Sequence, residues 1–242
     1  MEAKRAPEKT QTPRVVGHDD WLRARVEFLR KEKEFTHLRE DLARQRRELP
    51  WELVVKNYTF EGPNGPVSLA ALFDGRSQLL VYHFMLGPDW KEGCPGCSFV
   101  SDHIDGAMSH INARDITLVA VSRAPLSQIV PFKQRMGWRF PWFSSHASDF
   151  NFDYRVSFTK EAIAAGKNRY NYGSQASPGE EGPGLSAFYK DAAGNIFHTY
   201  SVYARGLDPL LGAYQFIDLA PKGRNEEALK SPMAWVRHHD RY

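Results

Sequence analysis

Cysteine is scarce in this chain, and its scarcity limits the chemistry available. Only two of the 242 residues are cysteines, Cys94 and Cys97. A disulfide framework that staples a small secreted domain needs more cysteines than this. A structural zinc site usually takes four ligands, so this pair would need histidines to complete one.

Long apolar runs and strong net charge are also lacking. No segment approaches the about 20 apolar residues of a membrane span, so we expect no membrane partner. A formal net charge of +3, without a Lys/Arg stripe interleaved with aromatics, predicts no nucleic-acid binding. Residues 1–20 lack the apolar core of a signal peptide, so we expect a cytoplasmic location. Thiols are kept reduced there, and a Cys-x-x-Cys motif is then typical of catalysis.

The segment 78–111 places the two cysteines at a strand–helix corner. An apolar run typical of a buried strand, residues 79–84, precedes a turn and then Cys94-Pro95-Gly96-Cys97. Apolar residues spaced as on one helical face follow up to Ile111. Pro95 suits the first helical position, which predicts Cys94 as the N-cap.

This placement favours thiol chemistry. A thiolate at Cys94 would face unpaired N–H groups and the positive end of the helix dipole. Thiols in Cys-x-x-Cys motifs titrate as low as about 3.5–7, against about 8.5 for a free cysteine. Cys97 lies one turn further on, close enough to form a disulfide. The pattern therefore predicts a redox-active couple with Cys94 as nucleophile and Cys97 as resolving thiol.

Two other interpretations of the motif stay open. Two buried structural cysteines are one, although Pro-Gly at such a corner disfavours it. Half of a metal site is the other, with His83, His103 or His110 completing the ligand set.

The rest of the chain supplies the elements of an α/β fold. We predict a flexible tail (1–17), an N-terminal helical extension (18–50), a thioredoxin-like domain (51–220) and a C-terminal tail (221–242). The strongly charged extension is interpreted as one or two amphipathic helices ending before Pro50, whose charged face is solvated or, as the alternative, binds a partner. Within the domain we predict a helix over 67–73, a strand at 115–122, a helix at 125–138, a hairpin from Leu185 to Ser201 and a helix near 208–217. Residues 140–183 are interpreted as a long aromatic-rich insert.

The element order and several motifs resemble a known family. Strand, Cys-x-x-Cys helix, strand, helix, hairpin, helix is the order of the thioredoxin fold, with a central mixed sheet flanked by helices. The sequence motifs resemble those of a bacterial thioredoxin-like family known as domain of unknown function eight-nine-nine, in the thioredoxin/peroxiredoxin-like superfamily. The matching stretches are Lys33–Thr36, Tyr82–Met85, Glu92–Cys97, Val121–Pro125 and Trp235–Asp240. The resemblance implies a fold and no assigned reaction.

The chain departs from both better-known branches of that superfamily. Thioredoxins carry a proline just before the hairpin strand, a place that falls here at about Leu185-Ser186, and Pro183 comes too early. Peroxiredoxins carry Pro-x-x-x-Thr/Ser-x-x-Cys, whereas this chain has Lys91 three residues before Cys94 and Pro88 six before it. The peroxidase motif is therefore not reproduced.

Four residues are candidates for supporting the cysteines. Lys91 would lower the pKa of Cys94 as a nearby cation, or is a solvated loop lysine. Trp90 is expected to pack over the site. Arg123, at the end of a strand, would hold a thiolate or anionic substrate, or forms an ordinary ion pair. His83 is a core histidine or, less in favour, a proton shuttle.

We therefore predict a thiol–disulfide oxidoreductase without a cofactor or metal. Its partners would be a small-molecule, peroxide or protein thiol/disulfide substrate and an external thiol reductant. A copper or zinc carrier using the cysteines and His83 is one alternative, and a redox-inert interaction module is another.

The aromatic insert gives a separate expectation. Its rings are too many for a solvent-exposed loop, because each large ring left wet forfeits about 1.5–3 kcal/mol of available burial. We expect residues in 141–172 to pack near Cys94 as a lid or to form a homodimer contact, with the flank of the sheet as the alternative.

Overall fold

The structure is a computed structural model that describes residues 13–177 and 179–242. The chain divides into two units, Met1–Pro50 and Trp51–Tyr242. Of the predicted N-terminal tail, residues 1–12 lie outside the described residues. Among the residues that are described, none of the helices combines the length and apolar composition needed to cross a bilayer.

In the described part of the first unit there is one long helix, α1, at His18–Arg47. Two acidic residues lie in its first turn and three arginines in its last, which complements the helix dipole at both ends. None of its side chains is buried.

The second unit is built around an eight-stranded mixed sheet. The strands that the structure describes are β1 (Glu52–Leu53), β2 (Thr59–Gly62), β3 (Gly65–Ser68), β4 (Gln78–His83), β5 (Ile116–Ser122), β6 (Trp142–Ser144), β7 (Arg169–Tyr170), β8 (Gln175–Ala176), β9 (Gly184–Lys190) and β10 (Ile196–Tyr203). The main sheet has the order β1-β10-β9-β4-β5-β6-β2-β3, and β7 and β8 form a separate hairpin.

Helices cover the sheet. The helices of this unit are α2 (Pro95–Ser101), α3 (Met108–Asn112), α4 (Leu126–Arg135), α5 (Phe150–Asp153), α6 (Lys160–Ala164) and α7 (Gly212–Ile217), with 3-10 turns at Ala71–Phe73, Ala204–Leu210 and His239–Arg241. Strand β4 pairs parallel with β5 on one side and antiparallel with β9 on the other. A central strand leading into a Cys-x-x-Cys helix, a parallel neighbour and an antiparallel hairpin make this a thioredoxin-like fold, as predicted.

Two apolar clusters lie on opposite faces of β4, because successive strand side chains point to opposite sides. Tyr82 and Phe84 belong to the first cluster, which packs under α2 and includes Cys97. Leu79 and Val81 belong to the second cluster. The continuous apolar run of β4 is thus explained by burial on both faces, as is usual for a central parallel strand.

The structure corrects three local predictions. The predicted helix 67–73 is the end of β3 followed by a single 3-10 turn at Ala71–Phe73. The helix after the cysteines stops at Ser101 and resumes as α3, with turns closed by i→i+3 backbone hydrogen bonds between the two helices. In this segment Asp102 and Asp105 accept from the Trp138 Nε1–H and from backbone N–H groups of the loop after α4. The aromatic segment from 140 also contributes β6 to the main sheet, where it pairs parallel with β5. A three-residue strand is too short to reveal itself by alternation.

The C-terminal segment also differs from the predicted tail. Val236 and His238 are buried, at 4% and 1% exposure. Arg135 on α4 pairs with both Glu92 and Asp240, and Arg241 pairs with Glu92. The segment is therefore fastened to the loop that precedes Cys94.

Gly93 offers a test of how tightly that loop is packed. A Cβ there would stand 2.6 Å from ring atoms of both Phe84 and Phe132, whereas at Gly106 nothing lies within 4 Å. We expect Gly93→Ala to lower the free energy of unfolding by about 1–3 kcal/mol, as overpacking does. Gly106→Ala is the matched control and should change it little. Urea denaturation measures both, and equal midpoints for the two variants would contradict this packing.

Candidate functional site

The backbone of Met85, just beyond β4, holds both cysteines. Its carbonyl accepts a hydrogen bond from the Cys94 N–H at 3.1 Å, and its own N–H donates to Cys97 Sγ at 3.4 Å. The two cysteines are free thiols 4.1 Å apart. The backbone of one residue thus fixes the start of α2 against the sheet and orients the inner thiol.

Cys94 is the N-cap of α2, as predicted, with extended backbone and Pro95 at the first helical position. The neighbouring Cys97 thiol, and then the backbone N–H groups of Cys97 and Gly96, stabilise its thiolate. Together they outweigh burial and lower the pKa of Cys94 to about 6. A half-buried thiol with this pKa is ionised at neutral pH and can act as a nucleophile.

Cys97 has the opposite character. It is 2% exposed, and burial followed by its contact with Cys94 raises the pKa of its thiol. The pair thus combines an outer thiolate with an inner protonated thiol, which is the asymmetry needed for attack and resolution.

Tyr82 is a site residue that sequence reasoning missed. It lies on the Cys97 face of β4, and its hydroxyl acts with the Met85 N–H to lower the pKa of Cys97, opposing the effect of burial. Among the described residues this buried hydroxyl has no partner other than the Cys97 thiol. A hydrogen bond from it would strengthen when Cys97 ionises, because hydrogen bonds to charged groups are the stronger ones. A lone tyrosine inside an apolar run gave no sequence signal of this role.

The C-terminal segment forms one wall of the site. A Cβ placed on Gly96 would meet Met233 Cε at 3.4 Å and Cys94 Sγ at 3.7 Å, so the methionine and the thiol flank the same glycine. Met233 has left-handed backbone (φ 64°), a conformation that costs free energy for a non-glycine residue. Glu226 holds it by accepting from the Met233 N–H and from Trp235 Nε1.

His238 fastens the same segment to the cysteine loop. One ring nitrogen, Nε2, lies 2.8 Å from the Gly93 carbonyl, and the other, Nδ1, lies 3.2 Å from a guanidinium nitrogen of Arg135. A carbonyl only accepts and a guanidinium only donates, so Nε2 is the nitrogen that donates to Gly93 and Nδ1 is the one that faces the Arg135 donor. Sequence reasoning saw this histidine only as part of a family motif.

Two predicted supporting residues lie in the loop before Cys94. Trp90 is half-buried, packs against the first cluster and covers Gly87. A Cβ placed on Gly87 would lie 3.0 Å from the indole. Lys91 is exposed, and it is not among the groups that lower the pKa of Cys94.

Arg123 pairs with an acid rather than with the cysteines. Its Nε donates to Glu181 Oε1 at 2.7 Å, and its guanidinium lies 4.7 Å from the centre of the Phe152 ring. Glu181 is buried, and burial raises the pKa of its carboxyl despite this pairing. The arrangement is the ordinary ion pair that the sequence left open.

His83 lies on the face of β4 opposite Tyr82, stacked on Phe150 in the second cluster. Burial, with a smaller effect of His198, lowers the pKa of His83 to about 3, so the ring is neutral. Its Nε2 contacts Ser186, from which hydroxyls continue through Ser201 to His198. The sheet therefore separates His83 from the thiols.

The part of the chain that is described contains no group of three or more His, Cys, Asp or Glu side chains arranged to hold a metal ion. The ligand set Cys94, Cys97 and His83, which the sequence left open, would have to be drawn from both faces of the sheet. This arrangement does not suit a single ion.

The aromatic insert is divided between the two faces of the sheet, and a homodimer contact through it stays a prediction. Trp142 belongs to the first cluster, which includes Cys97. Phe150 and Tyr154 cover the His83 face of the sheet, and Tyr170 packs with Val156 and Tyr203 in a third cluster. Phe150 and Tyr154 therefore follow the alternative expectation, in which the insert packs on the flank of the sheet. The wall beside Cys94 comes from the C-terminal segment instead.

Comparison with known proteins gives a family and several structural neighbours. A family model described as bacterial protein of unknown function (DUF899) matches residues 10–242. The search among curated proteins found no match. Similar solved structures include peroxidoxin BcpB from Mycobacterium tuberculosis, at 12% identity and TM-score 0.46 over 70% of this chain and 97% of that one. Peroxiredoxin Q from Xanthomonas campestris, as a cysteine mutant, is 16% identical with a TM-score of 0.47, over 69% of this chain and 98% of that one. A putative thiol:disulfide interchange protein DsbE from Chlorobium tepidum is 13% identical with a TM-score of 0.41, over 68% of this chain and 97% of that one.

The thiol asymmetry predicts a pH profile. Alkylation of Cys94 by iodoacetamide should reach half its maximal rate near pH 6, because only the thiolate reacts. Cys97→Ala removes the largest contribution to that low pKa and should move the midpoint upward, whereas Cys97→Ser keeps a hydroxyl and should move it less. Peptide mapping by mass spectrometry measures the rates. A wild-type midpoint near ~8.5, the value of a free cysteine, would contradict the assignment.

Proposed function

This chain belongs to the family of bacterial proteins of unknown function DUF899, and we propose that it is a thiol–disulfide oxidoreductase working through Cys94 and Cys97. The observation that carries the proposal is the asymmetric thiol pair at the N-terminus of α2, with one pKa lowered and the other raised. Its place would be the cytoplasm, where small thiol reductants are available.

In the first step the Cys94 thiolate attacks one sulfur of a substrate disulfide. A Cys94–substrate disulfide forms, the substrate S–S bond breaks, and the second substrate sulfur leaves as a thiolate that takes up a proton. Cys94 suits this role because it is the less buried thiol and carries the lower pKa.

In the second step Cys97 loses its proton to solvent and attacks Cys94 Sγ. The Cys94–Cys97 disulfide forms and the remaining substrate thiolate leaves, so the substrate gains two electrons and two protons in all. An external dithiol reductant then returns the pair to the thiol form. Because burial opposes ionisation of Cys97, the Met85 N–H and the Tyr82 hydroxyl would be the groups that stabilise its thiolate.

The substrate class stays a proposal between small disulfides and peroxides. With a peroxide, the Cys94 thiolate would break the O–O bond and take one oxygen as a sulfenic acid, while the other oxygen leaves as an alkoxide or hydroxide and takes up a proton. Cys97 would then release the sulfenic oxygen as water on closing the disulfide. The wall formed by Met233 and Trp235 beside α2 favours a small molecule over a folded protein.

The redox couple makes a direct prediction. Mild oxidant should remove both free thiols of the native protein and lower its monomer mass by two hydrogen atoms. Cys97→Ser should instead accumulate a mixed disulfide through Cys94 with a small disulfide such as oxidised glutathione. Thiol titration and intact mass measure both. Cys94→Ser is the matched control and should trap nothing; two thiols that stay free under oxidant would overturn the proposal.

Tyr82 makes a second prediction, specific to the resolving step. Tyr82→Phe should slow closure of the Cys94–Cys97 disulfide by about tenfold, since a hydrogen bond to a charged group contributes about 1.5 kcal/mol or more. The rate of Cys94 alkylation should stay unchanged. Stopped-flow measurement of both steps tests this, and equal slowing of both would mean a general disturbance of the site rather than a donor to Cys97.

A further inference from the structure

Helix α1 carries a heptad pattern that its own unit leaves uncovered. Large apolar residues recur every seven positions at Trp21, Phe28, Phe35 and Leu42. Their side chains are 50–60% exposed. The helix runs unbroken over 30 residues, or about 45 Å. A strict seven-residue repeat over four heptads is the pattern of a coiled-coil seam.

With these four residues as position a, position d holds Ala24, Lys31, Leu38 and Gln45. The seam therefore alternates apolar and polar d layers. Polar core residues lower the stability of a coiled coil but fix its register and number of strands. Leu22, Val26 and Leu29 fall at positions b and f, on the side of the helix that faces away from a two-stranded seam.

The charges beside the seam select the partner. The four g positions are all acidic: Asp20, Glu27, Glu34 and Asp41. The four e positions are Arg25, Glu32, Arg39 and Arg46. In a parallel pair each g residue faces the e residue five positions later on the other helix, which gives three attractive pairs, Asp20–Arg25, Glu34–Arg39 and Asp41–Arg46.

The same charges exclude the opposite orientation. In an antiparallel pair g faces g and e faces e, so acids would meet acids along one side, while the other side, with three arginines and Glu32, would be mostly positive against positive. The one repulsive parallel pair, Glu27 with Glu32, is relieved because Arg25 of the same helix donates to Glu32 at 2.7 Å. Exposed pairs within one helix contribute little, so they can exchange for pairs across the seam.

We propose that α1 pairs in parallel with α1 of a second copy of this chain. Each helix carries both the acidic g residues and the mostly basic e residues that pair with them. A second copy of the same helix therefore supplies the matching charges. The pairing makes the protein a dimer independently of what the cysteines do.

The seam is tested by oligomeric state in the full-length protein. Sedimentation velocity at 1–100 μM should give twice the 27.6 kDa chain mass. Phe28→Glu, at a seam position, should give a monomer. Val26→Glu is the matched control on the same helix with similar exposure, 50% against 55%, and should stay a dimer. A monomeric wild type, or equal behaviour of the two variants, would overturn the proposal.

Charge exchange tests the pairing itself. Glu34→Lys and Arg39→Glu should each raise the dissociation constant of the dimer at least tenfold. In each variant positions 34 and 39 then carry like charges, and they face one another twice in a dimer. Mixing the two variants should restore dimers, now mixed, because each lysine then faces a glutamate and each remaining glutamate an arginine. Failure of the mixture to recover would contradict the assigned partners.

Orientation is tested by cross-linking. Ala24→Cys in a Cys94→Ser/Cys97→Ser background places one thiol at a d position, opposite its counterpart in a parallel pair. Mild oxidation should then give a covalent dimer. A protein that sediments as a dimer yet does not cross-link through this cysteine would overturn the parallel arrangement.

Discussion

Both cysteines depend on the backbone of a single residue, Met85. Its carbonyl fixes the Cys94 N–H, and its N–H reaches Cys97 Sγ. Because Met85 lies two residues beyond β4, the geometry of the thiol pair is inherited from a central strand of the sheet. The outer thiol then gains its low pKa from groups already in place at the start of α2, while the inner thiol stays protonated through burial.

The parts of the structure that follow from local sequence patterns could be predicted. The run from Leu79 to Phe84 indicated a buried strand, and Pro95 indicated the start of a helix with Cys94 as its cap. The hairpin β9–β10 was visible from two alternating runs around a turn. These features depend on neighbours within a few positions, which is the range over which periodicity and capping act.

Other parts of the site depend on distant contacts and gave no such signal. His238 meets Gly93 across 145 positions, and Asp102 and Asp105 bind a loop more than 30 positions away. The residues beyond 220 therefore looked like a polar tail although they form a wall beside Cys94. Phe150 and Tyr154 were recognised as rings that must be buried, but the face of the sheet that they cover is set by the path of the whole chain.

Strand β4 presents Tyr82 to the thiols and His83 to the hydroxyls of Ser186 and Ser201, on two faces that share one backbone. Only the pairing register of β4 decides that Tyr82 faces the thiols and His83 the serines, because a shift of one residue turns every side chain to the other face. After such a slip a neutral imidazole would stand near Cys97, and a phenol would stand among the serines. The six pairs to β5 and the six to β9 prevent this exchange. The register of β4 thus keeps the thiol pair apart from the histidine–serine hydrogen bonds, although Tyr82 and His83 are neighbours in the sequence.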